Sequence, residues 1–155
     1  MTDTIATRLA RAGVSLPQAA APAANYVPYA RFGNLLQTSG QLPLDGGKLG
    51  ASGKLGDEVA LEDGQKAARA CAINILAQAS AALDGDLERI GRLLKLTVFV
   101  ASAPSFTEQH KVANGASDFL VDILGDKGRH ARSAVGVPSL PMDAAVEIEA
   151  LFEIA

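Results

Sequence analysis

Ala145-Val146-Glu147-Ile148-Glu149-Ala150-Leu151-Phe152-Glu153 alternates apolar and polar side chains, the period of a β-strand with one face on a core. Val146, Ile148, Ala150 and Phe152 fall on one side, and Glu147, Glu149, Leu151 and Glu153 on the other. Such a strand needs a second layer over its apolar side, and two helical stretches upstream supply it. In residues 61–84, Ala68, Cys71, Ala72, Ile75, Leu76, Ala79, Ala82 and Leu83 recur at three- and four-residue spacing, and Gly85 ends the run. No convincing N-cap precedes it. In the second stretch, Ser105 and Glu108 form a capping-box pattern. Val112, Ala116, Phe119, Leu120 and Ile123 share a face there, and the helix runs to about Leu124 before Gly125 stops it. Much of the apolar content is alanine, which predicts thin helices pressed close to a flat sheet.

The other segments fit around these. Residues 93–100 are rich in strand formers, and residues 131–137 read as another strand. Tyr29–Phe32 and Leu35–Ser39 flank Gly33-Asn34, a tight-turn pair. Residues 45–57 read as a glycine-rich loop with a short strand near Leu49, and Ser139-Leu140-Pro141 as a turn. Residues 2–14 predict a short N-terminal helix capped by Thr2 or Asp3, stopped at Gly13, with Val14 folding back on Leu9. A Pro- and Ala-rich connector fills 15–25. The order, β-β-(β)-α-β-α-β-β after that helix, is an α+β sandwich with both main helices on one face of the sheet.

A length of 155 residues with 48% apolar content fits one domain with its own core. The formal charge of −3, with Lys and Arg scattered among acids, argues against a nucleic-acid surface. A single cysteine, Cys71, rules out an internal disulfide, and its place on an apolar helix face makes it a core thiol. The absence of a secretory signal or a long apolar run points to a cytoplasmic protein without a membrane segment.

Few residues remain that could carry chemistry. Neither glycine-rich phosphate motif is present. His110 and His130 lie twenty residues apart with no ligand at metal spacing, so no metal is expected. Ser39 and Ser133 have no visible His–Asp relay. Arg132, by contrast, sits in Ala131-Arg132-Ser133-Ala134-Val135, a run otherwise suited to a buried sheet. It is either an edge-strand arginine reaching solvent or a planar fork presented to a carboxylate, and the pattern leaves both open. Glu149 and Glu153 read as solvated acids. Glu147, next to the apolar entry of its strand, is the one best placed to face a pocket, where a carboxylate can act as a general base. Tyr29 alone reads as a half-buried packing residue.

Several of these motifs, taken in order, resemble the RidA/YjgF family of reactive-intermediate deaminases. The C-terminal signature is carried by Ala131-Arg132-Ser133-Ala134-Val135, Leu140-Pro141 and Val146-Glu147-Ile148-Glu149-Ala150. Thr38-Ser39-Gly40-Gln41-Leu42-Pro43, preceded by Pro28-Tyr29, is similar to its N-terminal signature, and Lys95–Val100 to its central strand. The resemblance spans 26–155, making that the domain and 1–25 an added helix and connector. It departs at Ala134, where cysteine is common, at Ala30-Arg31 in place of a polar pair, at His130 before Ala-Arg, and in a stretch from Phe106 to Asn114 longer by about one helical turn. These differences mark a divergent branch.

The resemblance implies a chorismate-mutase-like sandwich with a mixed six-stranded sheet. It also implies a homotrimer with sites between subunits, a ring of heterologous contacts. The implied activity is hydrolysis of 2-imino acids (or enamines) to 2-oxo acids and ammonia, without a cofactor. Arg132 would hold the substrate carboxylate and Glu147 would orient water. Tyr29, Gly40, Asn114 and Ala134 would line the pocket, with His130 a further candidate. The alternatives are a non-catalytic small-carboxylate-binding module and, against the charge balance, an endoribonuclease.

Overall fold

The computed structural model describes residues 2–155. Its main sheet has five strands in the order β1 (Tyr29–Phe32), β2 (Leu35–Thr38), β7 (Val146–Ile154), β5 (Ile90–Ala101), β6 (Ala131–Val137). Only β5 and β6 run parallel; the other neighbours are antiparallel. Helices α2 (Leu61–Ala82) and α3 (Gln109–Leu124) cover one face. Buried along that face are Leu36, Leu93, Leu96, Val98, Val100, Val146, Ile148, Ala150 and Phe152. Among the described residues no helix covers the opposite face, and the alternation in β7 is complete: every even-numbered residue from Val146 to Ile154 is buried and every odd one is partly exposed. The chain thus forms an α+β sandwich with a mixed sheet.

The sheet has five strands rather than six. The segment near Leu49 forms a separate hairpin, β3 (Leu44–Asp45) with β4 (Lys48–Leu49), in which Leu44 pairs with Leu49. Its arms are only two residues long, too short to extend the main ladder.

The second main helix also starts later than the capping-box pattern predicts. Glu108 is the N-cap residue, makes no side-chain cap bond and pairs with Lys111 instead. Phe106 packs against the core, and its amide closes a turn onto Ala103 O, 3.0 Å away. That turn holds Ser105 outside the helix.

Helix α1 (Ile5–Arg11) is capped by Thr4, not by Thr2 or Asp3. Asp3 pairs with Arg8 and Arg11. The predicted stop is present: Gly13 has φ +69°, Gly13 N–H donates to Ala10 O and Val14 N–H to Leu9 O, the paired bonds of a Schellman ending. Ile5 and Leu9 are buried in the common core, so this helix is packed onto the domain. Alanines do bring the helices close: Ala67, Ala68, Ala72, Ala79, Ala113 and Ala116 are all buried. At Gly115 even a methyl group would lie 2.0 Å from Gln65 O.

Candidate functional site

Strand β6 lies at the sheet edge. Its parallel register sets Arg132 beside Leu96 and Ala134 beside Val98, so both point to the helix-covered side. An arginine in such a slot must find acceptors, and it finds them on α3. Nη1 donates to Asn114 Oδ1 at 2.9 Å and Ser117 Oγ at 3.1 Å, and Nη2 donates to His110 O at 3.2 Å. Asn114 and Ser117 are three apart and so share a helix face. All three acceptors are neutral, and no carboxylate pairs with Arg132 among the described residues. The cation is fixed in direction but its charge is uncompensated. Three of its five N–H groups are engaged. Nε–H and one Nη2–H remain, on nitrogens that share one edge of the fork.

His130 joins this group through Ser117, its Nε2 lying 2.9 Å from Ser117 Oγ. Its Nδ1 lies 2.6 Å from Gly128 O. Ala134 follows Arg132 on the same face, packed at the rim of the core.

Glu147 stands elsewhere. The antiparallel register pairs it with Phe99, between the buried Val146 and Ile148, so it points to the face without helices. Gly40 lies against it: a Cβ on Gly40 would fall 2.1 Å from Glu147 Oε1. Two backbone bonds hold the Gly40 loop on β7, Gln41 N–H to Ile148 O at 2.7 Å and Ile148 N–H to Gln41 O at 3.0 Å. Partial burial pushes the Glu147 carboxyl above its ordinary pKa, and the Glu149 carboxylate adds to the shift. Gly40 also lines a cavity of about 130 Å³ with Ser39, Gln41, Gln78 and Met142.

Tyr29 pairs with Thr38 on the helix-covered side and packs against the core; no hydrogen bond ties it to another candidate residue among the described ones. Cys71 is fully buried, and burial pushes its thiol well above the usual range, with Glu147 adding to the effect. It is a core thiol.

The structure therefore brings together Arg132, Asn114 and His130 on one face, and Gly40 with Glu147 on the other. It does not bring Arg132 to Glu147, because the sheet itself lies between them. Ser117, the link between Arg132 and His130, was not singled out from sequence; its three-residue spacing from Asn114 was the available signal. Among the described residues no cluster of His, Cys, Asp or Glu could hold a metal, and no helix is long and apolar enough to cross a membrane.

Comparison with known proteins follows the same architecture. Residues 6–154 match the family described as "YjgF/chorismate_mutase-like, putative endoribonuclease", a match that includes most of α1. Protein TCP17 of Trypanosoma cruzi is 54% identical over 153 residues, covering 97% of this chain and 94% of that protein. The crystal structure of Atu1372 from Agrobacterium tumefaciens, a protein of unknown function, superposes with a TM-score of 0.92 at 53% identity, covering 97% of this chain and 92% of that one. E. coli TdcF with bound serine superposes with a TM-score of 0.65 at 26% identity, over 89% of this chain and 94% of that one. On its sequence, its mixed sheet and its two-helix cover, the chain belongs to the YjgF/chorismate mutase-like family.

Proposed function

We propose that the protein hydrolyses 2-imino acids to 2-oxo acids and ammonia at sites shared between copies of the chain. The observation that carries this reading is the Arg132 fork: oriented by neutral acceptors, unpaired with any carboxylate among the described residues, and left with a free donor on each of Nε and Nη2, the nitrogens of one edge. Such an edge fits a planar carboxylate. Serine, the ligand bound to TdcF, carries that group.

Glu147 supplies the complementary function. A carboxyl whose pKa is raised by burial exchanges protons nearer neutral pH than a free one. Glu147 takes a proton from water as the water oxygen adds to the C=N carbon. It returns that proton to nitrogen, giving the carbinolamine, and then moves the hydroxyl proton to the amine as the C–N bond breaks and the C=O bond forms, leaving the 2-oxo acid and ammonia. The imine carbon is already electrophilic, so positioning and proton transfer suffice.

Because Arg132 and Glu147 occupy opposite faces of one sheet, the working site takes one from each of two copies. A trimeric ring built head to tail does this with one repeated contact. The face without helices carries Phe99 and Leu151, both partly exposed, and the edge residue Val135, 44% exposed, apolar surface that such a ring would cover.

The test is a coupled assay in which a threonine dehydratase releases the imine and 2-oxobutanoate formation is timed. The wild-type protein accelerates its appearance, and Arg132→Ala does not. No acceleration by wild type, or equal acceleration by Arg132→Ala, rejects the reading. Carboxylate binding without turnover would favour a non-catalytic binding module. RNA cleavage lost in Arg132→Ala would favour the endoribonuclease named in the family's description.

A further inference from the structure

We propose that Ser117 and His130 are positioning residues that aim the Arg132 guanidinium through a one-way hydrogen-bond relay. The inference deepens the carboxylate reading of Arg132 and rests on it.

The relay begins at the backbone. Gly128 O can only accept, so the 2.6 Å contact requires a proton on His130 Nδ1. In the neutral ring, Nε2 then carries the lone pair and accepts from the Ser117 hydroxyl at 2.9 Å. The hydroxyl hydrogen is committed to His130, and the Ser117 oxygen turns its lone pairs towards Arg132 Nη1, 3.1 Å away. A free serine hydroxyl rotates; this one is held as an acceptor. The anchor is rigid as well, since Gly128 is buried and so close to α3 that a Cβ there would lie 2.6 Å from Leu120 O.

In the Nδ1–H tautomer each member of the relay carries no charge, and this decides its use. A carboxylate beside Arg132 would also fix the fork, but it would cancel the charge and compete with the ligand. Ser117 and Asn114 together hold both hydrogens of Nη1 without neutralising the cation.

The experiment has two arms on the full-length protein. The first measures binding of 2-oxobutanoate, the expected product, by calorimetry, with KM and kcat from the coupled assay. Ser117→Ala and His130→Phe weaken binding and raise KM about tenfold, the scale of one lost hydrogen bond to a charged group, with kcat within about twofold. Ser117→Thr, which keeps the hydroxyl, binds as wild type. The second arm uses NMR and needs no ligand. Nitrogen shifts report His130 as the Nδ1–H tautomer, and rotation of the Arg132 Nη groups is slow in wild type but fast in Ser117→Ala and His130→Phe.

Wild-type affinity in both variants, while Arg132→Ala abolishes binding, overturns the relay and leaves the carboxylate reading standing. If the wild type binds no carboxylate, that reading fails by itself and the NMR arm judges the relay. Arg132 rotation unchanged by Ser117→Ala, or the Nε2–H tautomer in wild type, overturns it.

Discussion

The two faces of the sheet hold opposite charges in opposite conditions. On the helix-covered face Arg132 is constrained by three hydrogen bonds to neutral partners. On the other face Glu147 accepts no hydrogen bond among the described residues, and its carboxylate occupies the space that a Cβ at Gly40 would need. One charge is fixed in direction; the other is only confined. A fixed cation suits a group that must orient a substrate, and a confined acid with a raised pKa suits one that must gain and lose a proton. The two charges are complementary.

Mutating each half should separate the two roles. The largest effect is expected at Arg132. Loss of two charge-assisted bonds at about 2 kcal/mol each lowers kcat/KM about 10³-fold in Arg132→Ala. Arg132→Lys restores only a minor part, because an ammonium has no fork. Steady-state kinetics on both variants checks this, and near-wild-type activity in Arg132→Lys would break the comparison.

Glu147→Gln should act on the other parameter. We expect kcat to fall about 100-fold with 2-oxobutanoate affinity unchanged. Its stability effect has a definite sign. Burial raises the folded-state pKa, so the native carboxyl binds protons more readily than the unfolded one. The associated destabilisation is absent below the unfolded pKa and fully present above the folded one. At pH 7 the substitution therefore leaves Tm unchanged or raises it, whereas below the unfolded-state pKa the two proteins converge. A marked drop in Tm would show that Glu147 is structural.

Gly40→Ala is expected to have a smaller effect. The new methyl would displace the far end of a flexible side chain, so kcat falls about tenfold with little change in Tm. The subtlest expectation is in the pH profile: the acid limb of kcat/KM lies above the range of an ordinary glutamate, because the base must be ionised and burial opposes ionisation. A limb at the ordinary value would remove the raised carboxyl from the mechanism.

Strand β7 was legible from the sequence because its alternation extends over the whole strand. The stop of α1 was legible because Gly13 and Val14 are both required by one motif. The short strand near Leu49 was legible, but its partner Leu44–Asp45 and its separation from the main sheet were not, since arms of two residues carry no period. The start of α3 was misread because the Ser105 and Glu108 pattern is local, whereas the packing of Phe106 that overrides it is not. At the site, Arg132 and Glu147 were visible as charges inside apolar strands. Their placement on opposite faces was not, because it depends on how β6 and β7 each register against β5, a relation between segments that no single segment encodes. Ser117 was hidden for the same reason: its role appears only once α3 lies beside β6.

The most direct measurement mixes the two damaged proteins. Arg132→Ala and Glu147→Gln are unfolded together at equal amounts, refolded, and assayed beside each protein treated alone. If every site takes Arg132 from one copy and Glu147 from the next, half of the arginine positions and half of the glutamate positions are intact. About a quarter of wild-type activity should therefore return. If the mixture stays as inactive as its parents while a refolded wild type recovers, the two charges do not meet across a subunit boundary and the account is contradicted.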